Sequence, residues 1–223
     1  MLFSSGKPTI NSISCDTTKW LMHEESEERR LWLSNRHDAV LFRFFNTPPT
    51  FPYDFSNIEA ARKFYGSQSI DNGGVMLSVD FLRAGGIDVM KGVFKYRSPQ
   101  PDSMAMYFVG VLAFLFRDFA FQINTESLEI GTTGTREAAV SLILNEKSSE
   151  DREPILVNSM EEMFENMRSR PLCQIPSDRE EYDASFPLHP LSKVRMLQQH
   201  IINTIAVDSA IKQSQPYRIG TLG

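Results

Sequence analysis

The feature that most constrains this fold is a run of about four strand-like segments between residues 74 and 145 with no helix between them. The paired glycines Gly85 and Gly86 separate two alternating apolar stretches, which predicts a tight hairpin. The run then breaks at residues 131–137, Gly-Thr-Thr-Gly-Thr-Arg-Glu, into a helical pattern. Consecutive strands followed by helices predict an antiparallel sheet covered by later helices.

Other segments fill in the layers of this sheet. Residues 38–45 have the β-branched and aromatic character of a further strand. Capping signals and 3.6-residue periodicity predict helices at 57–68, from 135 and at 159–170. Pro190 opens a long C-terminal helix, whose apolar stripe comprises Leu191, Val194, Leu197, His200, Ile201, Ile205 and Val207. The predicted fold class is α+β, a mostly antiparallel sheet of five or six strands with helices on both faces, forming an α/β/α sandwich.

The 223 residues are expected to form a single domain, 1–223. Residues 1–30 are predicted to be an irregular N-terminal segment, in which the acidic cluster at 24–28 opens a solvated turn or helix. Residues 31–145 are predicted to be the sheet core, and residues 146–223 a helical layer. Within that layer, the proline-rich and charged residues 171–189 predict an irregular strap across the surface.

Composition excludes several functional classes. The net charge of −5 and the pI near 5.4 argue against a nucleic-acid partner, which requires clustered cationic side chains. The longest apolar run, residues 104–116, is about half the length of a membrane span, so no membrane partner is expected. Cys15 and Cys173 are too few for a disulfide framework, and the first residues lack an apolar signal core. The expected location is the cytoplasm.

The sequence lacks the signatures of common catalysts. No histidine pair has the i, i+4 spacing of a helical metal site, and no Gly-x-Ser-x-Gly motif is present. Cys173 and His189 resemble a thiolate and base pair only in residue type, without a surrounding motif. We therefore expect a protein that is not an enzyme and that has no cofactor and no metal.

Two interpretations remain open for the turn before the second helix. Its glycines and hydroxyls expose backbone N–H groups at a helix start, so a phosphate or another anion is a candidate ligand of Thr132, Thr133, Gly134, Thr135 and Arg136. The protein would then be a small-molecule-binding protein or phosphate-binding protein, or a hydrolase that uses the turn at 131–136. The alternative is a purely structural glycine turn and helix cap. A third pattern, the phenylalanines at 114, 116, 119 and 121, either lines a ligand groove or fills the core, and alternation on paired strands favours the core.

An acidic excess marks the second half of the chain. Residues 146–183 contain eleven carboxylates against five basic side chains, a balance of −6. Such a segment is either a solvated face or a surface for a basic protein partner, and basic toxins select for acidic surfaces in their inhibitors. The candidate partner-binding residues are Glu161, Glu162, Glu165, Asp178, Glu180, Glu181 and Asp183.

The element order, strand, helix, two hairpins and then helices, with Gly-Thr-Thr-Gly-Thr-Arg-Glu opening the helix after the last hairpin, resembles the PsbP-like α/β/α sandwich. That fold includes the DcrB-like proteins associated with bacterial type VI secretion. The resemblance covers residues 31–145 and implies a non-catalytic protein-binding module. Such a module would be an immunity protein that neutralises a toxin or secreted effector, or an adaptor that loads an effector. The acidic strap and the helix after Pro190 depart from the minimal fold.

Overall fold

The computed structural model describes residues 7–34, 38–100, 103–144 and 159–219. Within these residues the strands are β1 (Ile13–Ser14), β2 (Leu21–Glu25), β3 (Arg29–Leu33), β4 (Ala39–Phe45), β5 (Val75–Ala84), β6 (Ile87–Arg97), β7 (Met106–Leu115), β8 (Ala120–Leu128) and β9 (Ala206–Val207). Seven strands form one sheet in the order β2-β3-β4-β8-β7-β6-β5. Every neighbouring pair in it is antiparallel. The short strands β1 and β9 pair separately.

The helices are α1 (Ile58–Asp71), α2 (Thr135–Ile143), α3 (Met160–Ser169), α4 (Pro190–Thr204) and α5 (Ser209–Lys212). Polar side chains define where they begin. Asn57 Oδ1 accepts a hydrogen bond from Ala60 N at 3.0 Å at the start of α1, and Ser159 Oγ accepts one from Glu162 N at 3.1 Å at the start of α3. The strap at 171–189 is irregular apart from two single 3₁₀ turns, Pro176–Asp178 and Glu180–Tyr182.

The predicted hairpin at the paired glycines is confirmed. Ala84 pairs with Ile87 across a two-residue turn, and β5 and β6 run antiparallel along their length. Gly85 and Gly86 have φ values of +59° and +88°. Because two successive residues with positive φ define the turn type that matches strand twist, glycine is the residue that this turn favours.

The sheet has seven strands, so the prediction of five or six is wrong. The two additional strands, β2 and β3, lie in or next to the segment that was predicted to be irregular. Glu24 and Glu25 belong to β2, and they pair across the hairpin with Arg29 at 3.5 Å and Arg30 at 2.9 Å. Cross-strand ion pairs of opposite sign favour such a hairpin, although its charged sequence lacks the apolar alternation by which strands are recognised.

One face of the sheet packs against α4. The helix buries Leu191, Val194 and Ile201 against this face, where Phe108, Leu112 and Ile123 are also fully or almost fully buried. The four phenylalanines predicted for the core are all buried here: Phe114, Phe116, Phe119 and Phe121. The ligand-groove alternative for these side chains is therefore not supported.

The opposite face packs against α1 over only part of its width. Ala61 and Tyr65 of this helix contact a cluster that includes Val79, Met90 and Phe94, which lie on β5 and β6. Helices therefore lie on both faces of the sheet, as predicted.

The helix that begins at Pro190 is shorter than its apolar stripe indicated. It ends at Thr204, and Ile205 adopts an extended conformation with φ −64° and ψ 129°. Val207 pairs with Ile13 in the second, two-stranded sheet. The stripe continues past the end of the helix because Val207, although no longer helical, pairs with the N-terminal segment and is buried in the same core cluster as residues of the main sheet.

Candidate binding surface

The turn before α2 presents its three threonines to solvent. Thr132, Thr133 and Thr135 are exposed, and Gly131 and Gly134 have φ values of +78° and +74°. Gly134 is the N-cap residue. Because glycine has no side chain, no hydrogen bond from the N-cap side chain caps the helix. The predicted anion-binding residues thus lie close together, because they are consecutive in sequence.

Arg136, however, points away from this exposed turn into the strap. Its Nε donates to Ser177 O at 2.7 Å, its Nη1 donates to Asp183 Oδ1 at 2.9 Å and Ser192 Oγ at 2.7 Å, and its Nη2 donates to Arg179 O at 2.9 Å. The residue is 1% exposed. The guanidinium therefore anchors the strap, and it does not face a ligand at the turn.

A carboxylate of the protein itself occupies the start of α2. Glu129 Oε1 accepts a hydrogen bond from Gly134 N at 3.4 Å, and its Oε2 accepts one from Met106 N at 2.7 Å. Burial opposes ionisation of this carboxyl group, but His189 and these two N–H groups together lower its pKa. The positive end of the helix is thus already compensated by an internal anion.

Two of the seven acidic residues proposed for partner binding form ion pairs with buried cations, and of the two Asp178 is buried and Asp183 is partly exposed. Asp178 accepts a hydrogen bond from Lys95 Nζ at 2.5 Å, and both side chains are less than a tenth exposed. Asp183 bridges Arg136 and Arg195 at 2.9 and 3.0 Å. Burial contradicts the prediction that Asp178 is available to a partner, whereas the prediction for Asp183 stays a prediction, and each of the two compensates a buried cation.

The remaining five acidic side chains lie at the surface. Glu161 and Glu165 on α3 are exposed and Glu162 is half-buried, while Glu180 and Glu181 are exposed on the strap. Glu181 lies 3.6 Å from Arg179, and Glu180 lies 3.6 Å from Arg195. The first part of the acidic segment, residues 146–158, lies outside the described residues. The acidic surface that the structure shows is therefore smaller than the sequence indicated.

Cys173 and His189, which resembled a nucleophile and base by type, occupy different environments. Cys173 is exposed and borders a cavity of about 310 Å³. His189 is the N-cap residue of α4, where its Nδ1 accepts a hydrogen bond from Leu191 N at 3.2 Å. A larger cavity of about 630 Å³ lies between the turn before α2 and residues 185–190, with mainly apolar walls.

Part of the α1 face of the sheet is not covered by α1 or by any other described helix. We call it the open sheet face, and it consists of Leu21, Leu31, Leu33, Leu41, Arg43, Val109, Gln122, Asn124 and Glu126. Paired residues of an antiparallel ladder project from the same face, and the register aligns Leu31 with Leu41 and Asn124. Leu31, Leu33 and Leu41 are half-buried but belong to none of the core clusters formed by the described residues.

A hydrogen-bonded polar row runs along β8 across this face. Gln122 Nε2 donates to Asn124 Oδ1 at 2.8 Å, and Asn124 Nδ2 donates to Glu126 Oε1 at 3.2 Å. The Tyr107 hydroxyl donates to the second oxygen of Glu126. Burial, followed by the negative charge of Glu126, raises the pKa of Tyr107, so this donor keeps its proton. The row is thus ordered internally. The strand register places Ala39, Leu41 and Arg43 on one side of it and Val109, Val111 and Ala113 on the other.

The sequence analysis did not identify this face. The only local signal was the alternation of leucine with bulkier core residues in β3 and β4, which is also the pattern of a sheet covered on both sides. No helix among the described residues is long and apolar enough to cross a membrane.

Comparison with known proteins gives little further information. No protein-family model matches the chain, and no curated protein matches it. A crystal structure from Bacteroides thetaiotaomicron superposes with a TM-score of 0.36 and 11% sequence identity. The superposition covers 58% of this chain and 43% of the other, so the match spans less than half the length of that protein.

Proposed function

We propose that this protein acts by binding another protein, without catalysis, through the open sheet face. The observation that carries this proposal is the set of leucines on β2, β3 and β4 that no described helix covers. The more specific hypothesis, an immunity protein that neutralises a bacterial toxin or an adaptor for a secreted effector, rests on the resemblance to the PsbP-like and DcrB-like proteins.

The size of the face is consistent with this role. Five strands spaced about 4.8 Å apart and about five residues of about 3.3 Å each give a face of roughly 300–400 Å², on which the leucines adjoin the polar row. Exposed apolar groups rimmed by polar residues commonly mark interaction sites. A stable interface buries about 800 Å² per partner, so a partner centred here also contacts the surrounding loops and the exposed strand β2.

The exposed glutamates of α3 are proposed to have a kinetic role. Carboxylates outside an interface raise association rates with a basic partner through their long-range field, which salt screens over about 8 Å at physiological ionic strength. The residues involved are Glu161 and Glu165, which lie on a helix distant in sequence from the sheet face.

The test uses the purified product of each gene adjacent to the coding sequence as the probe. Surface plasmon resonance compares the wild type with Leu41→Glu on the open sheet face and with a matched control, Leu142→Glu, on α2, where Leu142 is 78% exposed. We expect Leu41→Glu to weaken binding by about 100-fold, since a charge at an apolar interface centre is costly, and Leu142→Glu to have little effect.

The same assay separates the binding role of the open sheet face from the kinetic role of the α3 glutamates. The double substitution Glu161→Lys and Glu165→Lys should slow association by about tenfold at low salt and leave dissociation nearly unchanged. Equal affinities of the wild type and Leu41→Glu would place the interface elsewhere. Failure of every adjacent gene product to bind would contradict the inhibitor hypothesis.

A second candidate function is small-molecule binding in the cavity of about 630 Å³ beside the turn before α2. Leu128, Ile130, Phe186 and Leu188 give this cavity apolar walls, so its ligand would be apolar instead of a phosphate. Inorganic phosphate should then leave the melting temperature unchanged. Stabilisation by phosphate that Thr135→Val abolishes would restore the anion-binding hypothesis.

A further inference from the structure

Three ligand-type side chains from distant parts of the chain converge beneath the turn before α2. Glu129 follows the end of β8, Glu137 lies in the first turn of α2, and His189 caps α4. His189 Nε2 lies 3.5 Å from Glu129 Oε1 and 3.9 Å from Glu137 Oε1. One ligand atom from each of the three residues lies within 4.8 Å of the others.

Among the described residues, no lysine or arginine side chain forms an ion pair with Glu129 or Glu137. Three buried or nearly buried cations lie in the same part of the fold, but each is paired elsewhere. Arg136 pairs with Asp183 at 2.9 Å, Lys95 with Asp178 at 2.5 Å and Lys193 with Asp38 at 2.7 Å. The N–H groups of Met106 and Gly134 stabilise the Glu129 carboxylate, but a second carboxylate beside it in a poorly solvated site is unfavourable unless a positive charge joins the pair.

Two buried atoms of the cluster also lack hydrogen-bond partners among the described residues. They are Nε2 of His189 and Oε2 of Glu137. The His189 side chain is only 9% exposed, and its Nε2 is directed at the two carboxylates. A buried ring nitrogen without a partner requires an explanation, and a ligand that binds all three side chains supplies one.

We propose that Glu129, Glu137 and His189 bind one divalent first-row transition-metal cation. Donors at roughly 2.0–2.2 Å from such a cation lie about 3 to 4 Å from one another, close to the separations observed. One imidazole and two carboxylates form a ligand set suited to Zn²⁺ or Mn²⁺. Glu129 borders both cavities, so water can fill the remaining coordination positions.

Metal binding has a defined consequence at the start of α4. A His189 ring that accepts a hydrogen bond at Nδ1 from Leu191 N carries its ring proton on Nε2. Coordination through Nε2 moves this proton to Nδ1 and ends that capping bond. The loss of one cap is small compared with the free energy of metal coordination, so the metal-bound state is favoured and the Leu191 amide loses its acceptor.

The test titrates EDTA-treated, dialysed protein with ZnCl₂ and with MnCl₂ by isothermal calorimetry. The first variant, Glu137→Gln, removes one charge at a partly exposed position while preserving shape. The second, His189→Asn, removes the Nε2 ligand but keeps a side-chain oxygen able to cap α4. His23→Asn, on the exposed strand β2, is the matched control for adventitious binding.

We expect one equivalent of at least one of the two cations to bind the wild type and to raise its melting temperature. Each of the first two variants should weaken binding by at least about tenfold, whereas the control should bind as the wild type does. In the metal-bound wild type, the Leu191 amide should exchange faster with solvent. Absence of saturable binding of either cation, or affinities of Glu137→Gln and His189→Asn within twofold of the wild type, would overturn the proposal.

Discussion

Arg136 and Asp183 form an ion pair at the junction of α2 and the strap, with Arg136 Nη1 2.9 Å from Asp183 Oδ1. The Arg136 side chain is fully buried, and Asp183 also pairs with Arg195 at 3.0 Å. The two residues are 47 positions apart in sequence. This pair therefore fixes the strap against α2, and it compensates the buried charge of Arg136.

Replacing Arg136 should strongly destabilise the fold. In Arg136→Met the carbonyl oxygens of Ser177 and Arg179 lose their donor, and Asp183 loses one of its two cations. Breaking a buried pair by removing one partner costs about 3–5 kcal/mol of unfolding free energy. Urea unfolding followed by circular dichroism measures this change.

The matched control for that substitution is Arg83→Met. Arg83 lies 3.7 Å from Asp88, and its side chain is 72% exposed. Exposed pairs contribute about 0–1 kcal/mol. If the two variants unfold at the same urea concentration, Arg136 is not an anchor of the strap.

Two glycine substitutions should change stability in opposite directions. A Cβ atom at Gly110 on β7 would lie 2.4 Å from Thr125 Oγ1 and 2.6 Å from Gln198 Cδ, where α4 approaches the sheet. Gly110→Ala should therefore cost about 1–3 kcal/mol through overpacking. A Cβ at Gly66 in α1 would meet only Met76 Cε, at 3.8 Å.

Gly66→Ala should consequently stabilise the protein by about 0.5–1 kcal/mol, because alanine loses less backbone entropy than glycine in a helix. Differential scanning calorimetry of both variants beside the wild type checks the signs. A neutral Gly110→Ala substitution would show that α4 can move away from β7 without loss.

The two cysteines should differ in reactivity. Burial, with a smaller contribution from Asp16, raises the pKa of the Cys15 thiol to about 12. Three pKa units above its ordinary value correspond to a thiolate fraction about a thousandfold lower at neutral pH. Cys173 is exposed, so iodoacetamide should modify one thiol rapidly in the native state. In Cys173→Ser this fast phase should disappear, and its persistence would mean that Cys15 is accessible.

The raised pKa of Cys15 also predicts a stability change at alkaline pH. Between about pH 9 and 12 the unfolded thiol loses its proton while the folded thiol keeps it. The unfolded state then binds fewer protons, so the free energy of unfolding falls as pH rises through this range. Burial acts in the same direction on Tyr65, whose pKa rises to about 12.

Urea titrations at several pH values test this dependence. The variant Cys15→Ala should show a shallower decline than the wild type, and the exposed-site control Cys173→Ala should follow the wild type. An identical slope for all three proteins would mean that Cys15 does not titrate differently in the folded state.

The local parts of the fold followed from sequence alone. The Gly85-Gly86 hairpin, the start of α2 and the buried phenylalanines of β7 and β8 were all predicted, because turn chemistry and alternation act over a few residues. The polar hairpin of β2 and β3 was missed, since its strands are stabilised by cross-strand ion pairs and a neighbouring strand, not by an apolar pattern.

The sites depended on contacts between distant segments. Sequence placed Arg136 on an exposed turn, but only the packing of the strap decided that it faces Asp183. Sequence also extended the last helix to Val207, which instead pairs with Ile13 near the other end of the chain. The sequence by itself determined which elements form and which side chains are apolar. The tertiary structure decided which charges are buried, which sheet face stays open and which three ligand-type side chains meet at Glu129, because these depend on long-range packing that local propensity does not encode.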